Sequence, residues 1–179
     1  MARTRLRTDI NIAREHARLS PGSGRELARL QELLGADEMV EAMTQARYQG
    51  CFGLVVLTNT RLLFLCDGII WKVSDTIPLD RIGIILWQSV FGFGTLTVHV
   101  AGAPLLFTGI TGRGGSAVLK GLRAHVAENA DLELRTRKSI LALAAHLMPE
   151  PAPDDISVLD EAAPSLDVPV TGPEYAAQM

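Results

Sequence analysis

The residues with most scope for chemistry in this 179-residue chain are two cysteines, four histidines and a glycine-rich joint between a strand and a helix. His16, His99, His125 and His146 fall on different predicted elements, no two at metal-ligand spacing, and neither H-E-x-x-H nor C-x-x-C occurs. They are expected at surfaces or strand edges. Cys51 and Cys66 flank a predicted hairpin. A turn centred on Asn59-Thr60 sets Cys51 opposite Gly68 and Cys66 opposite Gly53, which leaves the thiols on a diagonal, too far apart for an easy bridge. A turn centred on Thr58-Asn59 would bring them face to face. Two buried, inert thiols are the expectation.

Gly112-Arg113-Gly114-Gly115-Ser116 leads from a strand into a helix, where free N–H groups favour an anion. The lysine of a phosphate-binding loop is missing and Lys120 comes too late, so a flexible connector is the stronger reading, with Ser116 as helix cap. Phe91-Gly92-Phe93-Gly94 sets two aromatics at a hairpin tip. Packed back, they belong to the core, which is the favoured outcome; exposed, they form a contact site. No Ser/His/Asp set, paired-carboxylate motif or nucleotide fingerprint appears, and no basic stripe carries interleaved aromatics. The expectation is a protein without catalytic residues, metal or cofactor, and nucleic-acid binding is disfavoured.

The elements that position these residues follow from hydrophobic period. Leu6, Ile10, Ala13 and Ala17 form a narrow apolar stripe at helical spacing. Ser20-Pro21 breaks it, Pro21 suits the first position of a second helix, and Ser23 with Glu26 has capping-box spacing. Leu27, Leu30 and Leu34 line that helix, and Gly35 is placed to end it. Residues 39–47 alternate as a strand or a short helix. Residues 53–57 and 61–65 are compact apolar runs around Thr58-Asn59-Thr60, the pattern of a tight hairpin. Strand-like runs follow at 69–73, 82–87, 95–100 and 104–110, separated by Asp67-Gly68, Ser74-Asp75, Phe91 to Gly94 and Ala101-Gly102-Ala103. Such short, regular spacing indicates an antiparallel sandwich or small barrel, because no gap holds the helix of a βαβ unit.

Helical period returns after Gly115, first to about Asn129 through Leu119, Leu122 and Val126. A second helix is expected over 131–147, through Leu132, Ile140, Leu143 and Leu147, with Arg135-Thr136-Arg137-Lys138 in its first half. Six of the nine prolines lie in residues 149–179, a tail expected to be unstructured in isolation.

Runs 53–57, 62–66 and 84–87 are apolar on both faces. A sheet with one wet face alternates, so a second cover is required. The head helices, the helix at 131–147 and another subunit are the candidates.

Composition is ordinary for a globular chain, with 47% apolar and 21% charged residues, which excludes wholesale disorder and fibrous repeats. No apolar run reaches the roughly 18 residues of a membrane span, and no secretory core follows the first basic residues. A soluble, cytoplasmic protein is expected. The net charge of −3 divides unevenly: residues 1–35 carry +3, residues 36–148 carry +1 and residues 149–179 carry −7. Salt between the ends is the plainer reading, and a charged partner for either is the sharper one.

The order of elements, the phrase Leu57-Thr58-Asn59-Thr60-Arg61-Leu62-Leu63-Phe64, the phrase Ile77-Pro78-Leu79-Asp80-Arg81-Ile82 and the leading acidic stretch Gly35-Ala36-Asp37-Glu38 resemble bacterial pleckstrin-homology-like domains of the YokE-like type. The resemblance spans about residues 36–130. It implies an α+β fold: a bent antiparallel barrel or sandwich of six or seven strands closed by a C-terminal helix, with no catalytic residues. Around it stand amphipathic helices at 1–35, a further helix at 131–148 and the acidic tail at 149–179. Inositol-phosphate-binding relatives carry several basic residues on the first hairpin, whereas this chain has Arg47 before Tyr48-Gln49-Gly50-Cys51.

The resulting expectation is a non-enzymatic interaction module that binds a protein partner or assembles with itself. Its candidate contacts are Phe91, Phe93 and Arg113, together with the tail residues Ile156, Leu159, Leu166 and Tyr175, since apolar residues spaced among acids suit docking on a sheet edge or in a groove. The alternatives are peripheral attachment to an anionic membrane through the basic head and Arg135–Lys138, or a structural part of a larger particle, phage-encoded ones included.

Overall fold

The computed structural model describes residues 6–20, 22–68 and 72–147. The chain divides into two compact units at Ser139/Ile140, and of the second only helical residues 140–147 are described. In the first unit two short helices, α1 (Thr8–Ala17) and α2 (Gly24–Leu33), precede seven antiparallel strands. These are β1 (Val40–Tyr48), β2 (Cys51–Thr58), β3 (Arg61–Asp67), β4 (Lys72–Pro78), β5 (Ile82–Val90), β6 (Phe93–Val100) and β7 (Ala103–Ile110), followed by α3 (Gly112–Leu147). The sheet runs β4-β3-β2-β1-β7-β6-β5 and is open, with β4 and β5 at its edges. This is the expected α+β, pleckstrin-homology-like sandwich, with the helical pair in front and the long helix behind.

Two apolar layers share β1, β2 and β3. One side contributes Ala46, Val55, Leu57, Leu62 and Phe64 to a core that continues through Leu96, Val98 and Phe107 and is closed by Val118 and Leu122 of α3. Tyr48 stacks on Phe107 with ring centroids 4.7 Å apart. The opposite side contributes Met43, Leu54, Val56, Leu63 and Leu65 to a second core beneath Ile10, Ala13, Ala17, Leu27 and Leu30 of α1 and α2. The head helices therefore supply the cover that 53–57 and 62–66 required. Small Ala13 and Ala17 let α1 approach closely, and Ala17 Cα lies 3.1 Å from where a Gly114 Cβ would stand.

Three two-residue hairpins turn through paired left-handed conformations, at Gln49-Gly50, Phe91-Gly92 and Ala101-Gly102. Mirror-type turns of this kind match the twist of the flanking strands.

Several local expectations are corrected. Ser74-Asp75 is not a separator but the middle of β4, an edge strand that wets one face; Ile69, Ile70 and Trp71 lie outside the described residues. Helix α2 begins at Gly24, with Pro21 outside the described residues. Ser23 makes no side-chain cap; its Oγ donates to Ser20 O (3.0 Å) and accepts from Gln45 Nε2 (3.0 Å), tying α2 to β1 instead. Glu26 Oε2 completes no capping box and is buried without a hydrogen bond. The helix ends at Leu33 with an extended Leu34, so Gly35 supplies no left-handed stop. Residues 112–147 form one helix rather than two, and it starts at Gly112, which places Ser116 inside it rather than at a cap. Gly114 and Gly115 are tolerated there because side chains would collide with Met43 O and with Ile110.

The cysteines give the clearest correction. The β2–β3 register is the one centred on Asn59-Thr60, with Leu57 opposite Leu62, yet Cys51 and Cys66 form a disulfide. The ladder stops at Leu54–Leu65, and Gly53 lets β2 lie against the end of β3, where a Cβ would be only 3.0 Å from Cys66 Cβ. This closes the diagonal to a Cα–Cα distance of 6.4 Å, within bridging range.

Candidate interaction surface

The loop before β1 and the β2–β3 turn are fastened together by one acid. Glu38 is buried and accepts from Arg61 Nε and Nη2 (both 2.7 Å), Thr58 Oγ1 (2.8 Å) and the Gly35 backbone N–H (3.1 Å). Arg61 also donates to Leu33 O (2.9 Å), and Asn59 exchanges bonds with Met39 and Asp37. The Arg61 guanidinium holds the Glu38 carboxyl down to about 2, against the burial that pushes it up, with Gly35 and Thr58 assisting. Gly35 and Glu38 lie in the leading acidic stretch, and Thr58, Asn59 and Arg61 in the first of the phrases, on which the family resemblance was drawn. Their work is to hold the fold.

Among the described residues no group of three or more His, Cys, Asp and Glu is placed to hold a metal. His125 Nε2 meets Glu41 Oε2 at 2.9 Å, and His16 Nδ1 lies 2.8 Å from Ile12 O within its own helix. A groove of about 530 Å³ between α2 and β3–β4 is lined by Arg25, Arg29, Glu32, Asp67 and Lys72. Its charges answer one another, Arg29 to Glu32 at 2.8 Å and Lys72 to Asp67 at 3.3 Å.

The surface that stands out is the outward face of β5, β6 and β7. Inward residues Leu96, Val98 and Phe107 are buried, with Trp87 packed against the same core; their alternates face water. Leu86 stands opposite Thr97, which stands opposite Leu106; Ile84 stands opposite His99, and Val90 opposite Phe93. Ile84, Leu86, Val90, Phe93 and Leu106 are all exposed by half or more. The three strands contain no Asp, Glu, Lys or Arg. Of the two-faced apolar runs, 84–87 is therefore the one whose outer side stays uncovered in the first unit. The stretch of α3 expected as a cover does not supply it: residues 131–139, including Leu132, Leu134 and Arg135–Lys138, are exposed.

At one end of this face sits the Phe91-Gly92 turn. Phe91 is 97% exposed and Phe93 59%, which corrects the expectation that these aromatics pack into the core. The β5–β6 pairing continues to Val90–Phe93, so the turn holds only two residues and carries Phe91 beyond the last pair. Arg113, also singled out from the sequence, is exposed in the first turn of α3 and makes no ion pair with a described residue. Trp87 links the two sites, since its ring lies against Gly94 and comes within 3.2 Å of where a Gly115 Cβ would stand. Ile156, Leu159, Leu166 and Tyr175 lie outside the described residues. Sequence reasoning missed Ile84, Leu86 and Leu106 as contacts, because an apolar strand residue reads the same whether or not its face is covered.

No protein-family model matches the chain, and no curated protein matches it. Among solved structures it is similar to that of a DUF1696 family protein with a pleckstrin-homology domain from Shewanella loihica PV-4. The two share 16% identity, the match covers 60% of this chain and 99% of the other, and the TM-score is 0.45.

Proposed function

We propose that this chain is a non-enzymatic interaction module that docks protein, a second copy of itself in the first instance, on the outward face of β5–β7. The observation that carries this reading is the uncovered patch of Ile84, Leu86, Val90, Phe93 and Leu106 on three strands without a charged residue. Contiguous apolar faces of this kind are normally buried in an assembly. Strand β5 adds a second invitation, because it ends the sheet with its outer backbone edge unpaired and without the lysine or proline that blunts many edges. An apolar, uncharged face is complementary to itself, so two copies can pack face to face about a two-fold axis.

Light scattering across a dilution series tests the reading. The chain is expected to exceed monomer mass, and Leu86→Lys, which sets an ammonium at the centre of the buried face, is expected to weaken association at least about tenfold. Far-UV circular dichroism should remain unchanged, since Leu86 points away from the core. A chain that is monomeric at every concentration, or a Leu86→Lys variant that associates as the parent does, would overturn the reading.

A further inference from the structure

We propose that the Cys51–Cys66 bridge is a thiol-exchange site, opened and closed in the folded chain by low-molecular-weight thiols that attack Cys51. It goes beyond the protein-docking reading and does not rest on it. The two sulfurs are unequally placed. Cys66 is 4% exposed and belongs to the core that holds Tyr48 and Phe64, whereas Cys51 is only half-buried, at the first position after the β1–β2 turn. A cavity of about 330 Å³ is lined by Gln49, Gly50, Cys51 and Val73. Gly50 brings no side chain to shield the sulfur, and a Cβ there would meet nothing within 4 Å. Gln49 is drawn aside, its Nε2 donating to Tyr48 Oη (3.0 Å) and to Asp75 Oδ2 (3.5 Å). Exchange requires a thiolate to reach one sulfur of the bridge, and that access separates labile bridges from inert ones.

With two cysteines in these 179 residues there is no third thiol for internal reshuffling, so the attacking sulfur comes from outside. The incoming thiolate bonds to Cys51 Sγ, the Cys51–Cys66 bond breaks, and its electron pair leaves on Cys66 Sγ, which takes the proton the attacking thiol gave up. A second thiol then attacks the external sulfur of the mixed disulfide and releases Cys51, which is protonated in the same way. Two external thiols are oxidised to one disulfide, and the Cys51–Cys66 bridge is reduced to two thiols. The fold confines the change. The β2–β3 ladder ends at Leu54–Leu65, while β3–β4 pairing continues through Cys66–Val73 and Asp67–Lys72. The bridge therefore ties to β2 a hairpin end that backbone pairing does not. Leu65, Cys66, Asp67, Lys72, Val73 and Ser74 also form one wall of the groove beside α2, so the state of the bridge decides whether that wall is held covalently to β2.

Reduction kinetics of the full, oxidised chain test the proposal, with dithiothreitol in the absence of denaturant and samples quenched by alkylation in denaturant. The rate is expected to rise in proportion to dithiol concentration while far-UV circular dichroism is retained, and oxidised glutathione is expected to restore the bridge. With reduced glutathione, the trapped mixed disulfide is expected on Cys51 in at least about tenfold excess over Cys66. Cleavage after Arg47, Arg61 and Lys72 puts the two cysteines on separate peptides, 48–61 and 62–72. Two variants without the bridge compare the thiols on equal terms. Cys51 in Cys66→Ser is expected to take up glutathione from oxidised glutathione at least about tenfold faster than Cys66 does in Cys51→Ser. A reduction rate that levels off at the rate of global unfolding, or reduction that comes only with loss of the circular dichroism signal, would mark a purely structural bridge and overturn the proposal. So would mixed disulfide spread equally over the two cysteines, or equal uptake by the two variants.

Discussion

Replacing Arg61 with Met is expected to destabilise the fold by about 3–5 kcal/mol, measured by denaturant unfolding at neutral pH. Its guanidinium makes two 2.7 Å bonds to a carboxylate that is buried between the β2–β3 turn and the loop before β1. Without it Glu38 stays buried and ionised, with Thr58, Thr60 and Gly35 as its remaining donors. Removing both charges, as in Glu38→Gln with Arg61→Met, is expected to recover a good part of the loss, because the cost lies in the stranded charge. A double variant no more stable than the single one would refute that account. Acid provides an independent check. The folded Glu38 carboxyl titrates at about 2 against an ordinary value of 4.5, so its contribution is complete above the ordinary value and is lost as pH falls from there towards 2. The shift corresponds to about 3 kcal/mol. The parent should lose that much stability across this window through Glu38, and the Glu38→Gln variant should lose none of it through that site.

Removing the disulfide, by reduction or by Cys51→Ala with Cys66→Ala, is expected to cost about 3 kcal/mol on the chain-entropy account of a 15-residue separation. The bridge ties the end of the β2–β3 hairpin where backbone pairing has already stopped, opposite to the end that Glu38 and Arg61 secure. Unfolding midpoints with and without a dithiol reductant, together with a thiol count under native and denaturing conditions, provide the measurement. Because the two fastenings sit at opposite ends of one hairpin, their losses should add to within about 0.5 kcal/mol. A midpoint indifferent to reductant in the parent would refute the stabilising role of the bridge.

Much of the framework was legible because period and turn chemistry act locally. Ile10, Ala13 and Ala17 marked α1, Leu27 and Leu30 marked α2, and two apolar runs around Thr58-Asn59-Thr60 marked β2 and β3, whose observed register is one of the two that the turn residues left open. The need for a second cover over those runs was also legible, and α1 and α2 supply it. The failures have separate physical origins. Ser74 and Asp75 imitate a turn because an edge strand can afford polar residues on its wet side. Cys51 and Cys66 were judged on flat-sheet distances, whereas the strands close up at Gly53. Hydrophobicity favours packing Phe91 into the core or against its hairpin, but at a two-residue turn beyond the last strand pair its side chain stands in water. Glu38 and Arg61 are 23 positions apart, and nothing local marks either as buried or as the other's partner.

Because β1, β2 and β3 are sandwiched between two apolar layers, the head helices and the sheet cannot open one at a time without wetting Leu54, Val56, Leu63 and Leu65 together. Opening the outer layer would also release the Glu38–Arg61 pair and the Arg7 bonds to Gly35 and Glu38 that pin the start of α1. Amide hydrogens on these three strands should therefore exchange only through whole-molecule opening, as one foldon with α1 and α2, while those on the outer edge of β5 exchange from the native state. The segment before β1 is thus a structural wall of the sheet, and a chain shortened to begin at β1 would present as an aggregation surface what is now its second core.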